Sequence, residues 1–329
     1  NSAALQGGGI YLSPGCKLIM GSEGSIKNNQ VINDYYGSGG GIYAKNSKIT
    51  LFGEVQSNSS YFNGGGIYLD EQSELTLFSS ALIRNNKASN AGGGIIAYSG
   101  SKVTMYGGTV SENKAYLGGG VCLEDYSTLD MLVSSALIKN NEVPGLGGGI
   151  YAYDSCTVEI SGVVEFNKAE LYGGICIAKQ STLVLHASGV VQDNTSIEEG
   201  GGIAVTMGST ATSKGTIQNN AAGRLGGGII VSNSSELTIT GGSIIKNKVS
   251  WSGDSTKNAS GGGIYASKSE LNIQDAAISG NELRSFVTSA AGGGIVLHMS
   301  RASISGCQIN NNYVQGAGND NAGGGIWVG

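Results

Sequence analysis

Three phrases decide the fold: Gly64-Gly65-Gly66-Ile67-Tyr68-Leu69, then Glu74-Leu75-Thr76-Leu77, then Ile83-Arg84-Asn85-Asn86. The first two alternate side chains with period two, the pattern of strands with one buried face. A triplet of glycines returns at Gly92 and the phrases repeat. Across the chain the glycine-triplet-plus-aliphatic motif starts at Gly7, Gly39, Gly64, Gly92, Gly118, Gly147, Tyr172 (Tyr for the first Gly), Gly200, Gly226, Gly261, Gly292 and Gly323, at spacings of 25 to 35 residues. Such a period marks stacked repeats.

Three short strands per repeat predict an all-β, right-handed parallel β-helix of 11 to 12 coils. Ile10, Ile42 and Ile67 open one inward column and Leu12, Ala44 and Leu69 the next; Leu75 with Leu77 and Val103 with Met105 add the second strand. A coil buries about six aliphatic side chains at ~1.5–3 kcal/mol each. Ordering costs ~1.5 kcal/mol for every residue, so a coil is stable only within a stack.

The most regular signal is an Ile or Val followed three places later by Asn. It supplies Asn29, Asn58, Asn86, Asn113, Asn141, Asn167, Asn194, Asn220, Asn247, Asn281 and Asn312, one in every interval. At a stacking distance of ~4.8 Å each amide donates to one neighbour and accepts from the other, which predicts an Asn ladder at one turn.

Composition narrows the class. Glycine is 57 of 329 residues and proline only 2, which excludes collagen and Pro-rich disorder. Charged residues are 13%, and a net charge of −5 without any Lys/Arg block removes the electrostatic basis for nucleic-acid or anionic-membrane binding. No apolar run is long enough to span a bilayer, so no direct membrane insertion by this segment is expected. The last residues, Gly323 to Gly329, read as the opening of another repeat. The expectation is a single continuous segment, residues 1–329, of a longer repeat protein.

The Gly-Gly-Gly-Ile motifs and the aliphatic-x-x-Asn phrases resemble the repeats of the chlamydial polymorphic outer membrane proteins, which pair GGA(I/L/V) with FxxN. The resemblance covers essentially the whole chain, with Gly for the family's Ala and Ile or Val for its Phe. It implies secretion, cell-surface exposure and an adhesive role.

Enzymatic β-helices gather Asp, Arg, Lys or His on one outer face for acid/base work. Here His186 and His298 lie four coils apart, and the acidic pairs Asp70/Glu71 and Glu124/Asp125 two coils apart, with Asp154 one further on. They read as inert histidines and solvated turns, so no catalytic residue, cofactor or metal ligand is assigned. Cys122 and Cys176 fall at equivalent outward positions two coils apart, roughly 9–10 Å, beyond the ~7 Å that a disulfide spans. With Cys16, Cys156 and Cys307 they are expected to be free or intermolecular. Of the four glycosylation sequons, Asn58 and Asn194 are ladder residues; Asn233 and Asn258 are the expected acceptors.

Two outer features invite a functional reading. Tyr11, Tyr43, Tyr68, Tyr151, Tyr265 and Trp327 share the outward position between the first strand's two core columns, together with Ile96, Cys122 and Cys176. Such a stripe reads either as a contact surface or as a stack that stabilises the sheet. The corner after the Asn ladder takes the long insertions, residues 30–38, 249–260, 283–291 and 313–322, and would place Trp251, Phe286 and Tyr313 on three consecutive coils. The expected function is a non-catalytic extracellular structural or adhesive module that meets a protein or glycan partner at the cell surface, or its own copies in a filament. The alternative is a polysaccharide-active or carbohydrate-binding β-helix.

Overall fold

The computed structural model describes residues 1–32, 36–254, 256–318 and 321–329. The chain divides into two compact units, Asn1–Lys168 and Ala169–Gly329. Each is a parallel β-solenoid, and among the described residues there is no helix.

In the first unit the strands Ile10–Leu12, Ile42–Lys45, Ile67–Asp70, Ile95–Ala97, Val121–Glu124 and Ile150–Tyr153 pair in chain order, all parallel. A second sheet stacks Lys17–Met20, Lys48–Leu51, Glu74–Phe78, Lys102–Tyr106, Thr128–Met131 and Thr157–Ile160. The third runs from Ser25–Lys27 through Glu54–Gln56, Leu82–Arg84, Thr109–Ser111 and Leu137–Lys139 to Val163–Glu165. The second unit repeats the plan, its first sheet running from Ile175–Ala178 through Ile203–Val205, Ile229–Ser232, Ile264–Ser267 and Ile295–His298 to Ile326–Val328.

Register is in phase, so each motif residue lies beside its own copy: Ile10 by Ile42, Ile42 by Ile67, Ile67 by Ile95. A one-residue slip would turn the whole aliphatic set outward. Ile42, Ile67, Ile95, Leu75 and Leu77 are accordingly buried in the bore.

A further inward position, which period-two reading of three strands passes over, lies two residues beyond the ladder Asn. Val31, Ser60, Ala88, Ala115 and Val143 occupy it in the first unit and are all buried. The two-residue strands Gln30–Val31, Ser59–Ser60 and Lys87–Ala88 pair there. The corner is thus a short fourth strand in several coils, not a bare loop.

Candidate functional site

The Asn ladder forms as its spacing demands. In the first unit the side-chain amide of Asn29 donates to Asn58, Asn58 to Asn86, Asn86 to Asn113, Asn113 to Asn141 and Asn141 to Asn167, at 2.9–3.1 Å. Asn194, Asn220, Asn247, Asn281 and Asn312 continue the pattern in the second unit. The second amide hydrogen is used as well: Asn113 Nδ2 donates to the Ile83 carbonyl at 2.9 Å, while Asn113 Oδ1 also accepts from the Asn86 backbone N–H at 2.9 Å.

The glycine triplet serves this ladder. A Cβ on Gly66 would stand 3.0 Å from Asn86 Nδ2, and one on Gly65 would stand 2.6 Å from the Gly93 carbonyl oxygen of the next coil. Gly64 has φ +63°, and its Cβ would meet the Tyr68 Cβ at 2.9 Å. This first glycine folds the incoming chain over the residue four places on.

That fold-back favours the stabilising stack over the contact surface as the reading of the aromatic stripe. Tyr43 and Tyr151 are buried, as are Ile96, Cys122 and Cys176; Tyr68, Tyr265 and Trp327 are half-buried, and only Tyr11 of the six aromatics is exposed. Tyr11, Tyr43 and Tyr68 stack at 5.4 and 5.0 Å with nearly parallel planes, so the inner rings cover one another's faces. A sugar needs an open ring face. The Tyr43 hydroxyl donates to Asp70 Oδ2 at 2.9 Å, and burial together with that carboxylate holds the phenol far above its ordinary pKa. The column is therefore a packed cross-strand stack.

The proposed platform of Trp251, Phe286 and Tyr313 does not assemble. Trp251 is buried against Ala222, Val249, Ala259, Leu283 and Ala290, and its indole N–H donates to the Asp254 carbonyl at 3.1 Å. The insertion supplies its own apolar cluster, and the ring fills it. Trp251 lies in register with Ser285, whereas Tyr313 lies in register with Glu282, three residues upstream. Phe286 and Tyr313 are exposed, with the Arg284 guanidinium 5.6 Å from the Tyr313 ring centroid. Asn33, Asp34 and Tyr35 of the first insertion, Ser255 of the second and Asn319 and Asp320 of the last lie outside the described residues.

The same corner does carry exposed aromatics in the first unit. Tyr61 (52% exposed) and Tyr116 (51%) each stand three residues after a ladder Asn, with Ile32 at the equivalent place and Tyr36 and Phe62 nearby in the sequence. A shallow groove of about 360 Å³, lined by Gln30, Ile32, Ser59, Tyr61, Lys87 and Ser89 among others, runs beside Tyr61. The signal was available as the spacings Asn58 to Tyr61 and Asn113 to Tyr116.

The thiols and acids remain dispersed. None of the five cysteines is in a disulfide; Cys16 is exposed, and Cys122, Cys156 and Cys176 are buried. Cys156 and Cys16 occupy a column that serines such as Ser47, Ser73, Ser101 and Ser127 hold in other coils, immediately before the second strand. The Ser47 N–H donates to Ser73 Oγ and the Ser73 N–H to Ser101 Oγ, both at 3.1 Å, a second polar ladder missed in the sequence. The Cys156 thiol donates to the Tyr153 carbonyl at 3.2 Å, and burial pushes its pKa up to about 12. Burial also raises the Glu124 carboxyl, whose Oε1 lies 3.7 Å from Cys122 Sγ. Glu71 pairs with Lys45 at 2.7 Å. His186 follows the strand Thr182–Leu185 and His298 ends the strand Ile295–His298, and these strands belong to different sheets. Among the described residues no group of three or more His, Cys, Asp or Glu side chains is placed to hold a metal ion.

Residues 8–184 and 131–329 match the family model described as the right handed beta helix region. The chain belongs to this β-helix family. No curated protein and no solved structure matches it. In this β-helix the sequons divide by burial: Asn58 and Asn194 are buried in the ladder, whereas Asn233 and Asn258 are exposed. No helix among the described residues is long and apolar enough to cross a membrane.

Proposed function

We propose that this β-helix is a non-catalytic, extracellular structural or adhesive module whose contact edge is the corner after the Asn ladder in the first unit. The observation that carries the reading is the pair Tyr61 and Tyr116, exposed at one repeat position two coils apart, with Tyr61 lining a groove that also holds Ile32, Lys87 and the hydroxyls of Ser59 and Ser89. Aromatic side chains anchor protein and glycan partners at low entropic cost. The stacked tyrosines offer less: Tyr43 is buried with a ring on each face, and Tyr68 is half-buried against it. The surface chemistry also supports the reading: ion pairs such as Lys48–Glu74 and Lys114–Glu142 join equivalent positions of neighbouring coils, a structural use of charge. The resemblance to polymorphic outer membrane protein repeats points the same way.

The test is binding of the labelled chain to intact cells and to a glycan array, wild type against the Tyr61→Ser/Tyr116→Ser double variant. Loss of about tenfold or more in binding is expected, with the melting temperature unchanged. Equal binding by the double variant would remove the corner from the account. New reducing ends released from polysaccharides by the purified chain would overturn the non-catalytic reading in favour of a polysaccharide-active one.

A further inference from the structure

A different face of the first unit carries a second apolar feature, and it goes beyond the adhesive corner. We propose that the outer face of the second sheet, Lys17–Met20 through Thr157–Ile160, docks a second copy of this chain laid antiparallel.

The apolar part is a ridge at the edge of that sheet. Phe52, Phe78, Tyr106 and Leu132 follow one another on successive coils, each one place beyond the inward residues Leu51, Leu77, Met105 and Met131. Tyr106 is 50% and Leu132 43% exposed, and Phe52 and Phe78 are half-buried. The rings stack at 4.6 Å (Phe52 on Phe78) and 5.6 Å (Phe78 on Tyr106), so the ridge is rigid before any partner arrives. Preordered rings lose little entropy on binding. Four coils make a ridge roughly 15 Å long.

Charge says what covers it. The first outward column of the sheet reads Lys17, Lys48, Glu74, Lys102, Thr128, Thr157, and the second reads Ile19, Thr50, Thr76, Thr104, Asp130, Glu159. The earlier coils are thus cationic on balance and the last two anionic. The sign changes between the Lys102 and Asp130 coils, whose side chains pair at 2.6 Å, within the span of the ridge. A parallel copy would set like charge on like. A two-fold axis lying along the strands between Glu74–Phe78 and Lys102–Tyr106 sets Lys17 and Lys48 of each copy against the Glu159 and Asp130 coils of the other, twice over, and Glu74 against Lys102, while the two ridges meet. Self-complementarity of this kind is what an isologous pair requires, and a partner of uniform charge would be repelled at one end.

Sedimentation equilibrium of the purified chain tests the proposal. A dimer is expected that weakens about tenfold or more between low and ~0.5 M salt, and again in Tyr106→Ser, with unchanged circular dichroism; Leu132→Ser is the substitute if Tyr106→Ser unfolds. Lys17→Glu alone and Glu159→Lys alone should each be monomeric, and an equimolar mixture of the two should dimerise, because the end contacts of the mixed pair then again join opposite charges. A wild type that stays monomeric at about 0.1 mM, a dimer indifferent to the ridge variants, or a mixture no tighter than its components would each overturn it. The role of the Tyr61 corner would be untouched by that failure.

Discussion

Ser60 and Ser196 hold the same inward position, two residues after ladder asparagines, and fare differently. Ser60 Oγ donates to the Asn63 carbonyl at 2.8 Å, whereas Ser196 Oγ is buried without a partner. A buried unpaired hydroxyl costs on the order of 1–3 kcal/mol, and the register neighbour of Ser196 is already an alanine, Ala222. Ser196→Ala should therefore stabilise the chain by about 1 kcal/mol; a lower denaturation midpoint in urea would refute it. Burial also divides the sequons. In a glycosylating expression host, glycan is expected on Asn233 and Asn258 and not on Asn58 or Asn194, whose amides are committed to the ladder. Peptide mapping by mass spectrometry decides it, and a glycan on either ladder residue would contradict the burial argument. At this scale the sequence left the two readings of the stripe open. Alternation marks Tyr43 and Cys122 as outward on the strand, but outward on a strand is not exposed when a glycine turn lays the incoming chain across that face.

Elements were legible wherever one requirement recurs in every coil. Asn113 shows why the ladder could be read from spacing: its side chain makes four hydrogen bonds, to Asn141, Ile83 and both donors of Asn86. No other residue type offers two donors and an acceptor at that reach. Asn113→Ala would strand buried donors and acceptors in neighbouring coils and is expected to cost about 4 kcal/mol. Equilibrium unfolding in urea measures it, and a loss under about 1 kcal/mol would show that water or relaxation replaces the ladder. The residue just before each ladder Asn was not legible. Asn28, Ser57, Asn85, Glu112, Asn140 and Phe166 all take φ of 54–57°, and neither Glu nor Phe favours that region. Stacking imposes the conformation on whichever residue stands there. The corner insertions were located correctly, but Trp251 was not, because a loop long enough to fold on itself can bury its own aromatic.

At the scale of the whole molecule, the ladders and ring stacks join residues to their counterparts about one repeat away, which is why period alone predicted the architecture. Features that depend on the difference between coils stayed hidden in the sequence. The reversal of charge along the second sheet becomes visible only once register puts Lys48, Glu74 and Lys102 in one column and Asp130 and Glu159 in the next. The Asn ladder holds one more consequence. In each of its bonds the earlier coil donates and the later coil accepts. The carboxamide dipoles thus all point one way and add, as peptide dipoles of ~3.5 D do along an α-helix, with the positive pole toward later coils. The column has an electrical polarity, like a row of magnets laid north to south. A coil approaching from the later side meets amide hydrogens, and one approaching from the earlier side meets oxygens, so this stack can be extended head to tail and never head to head.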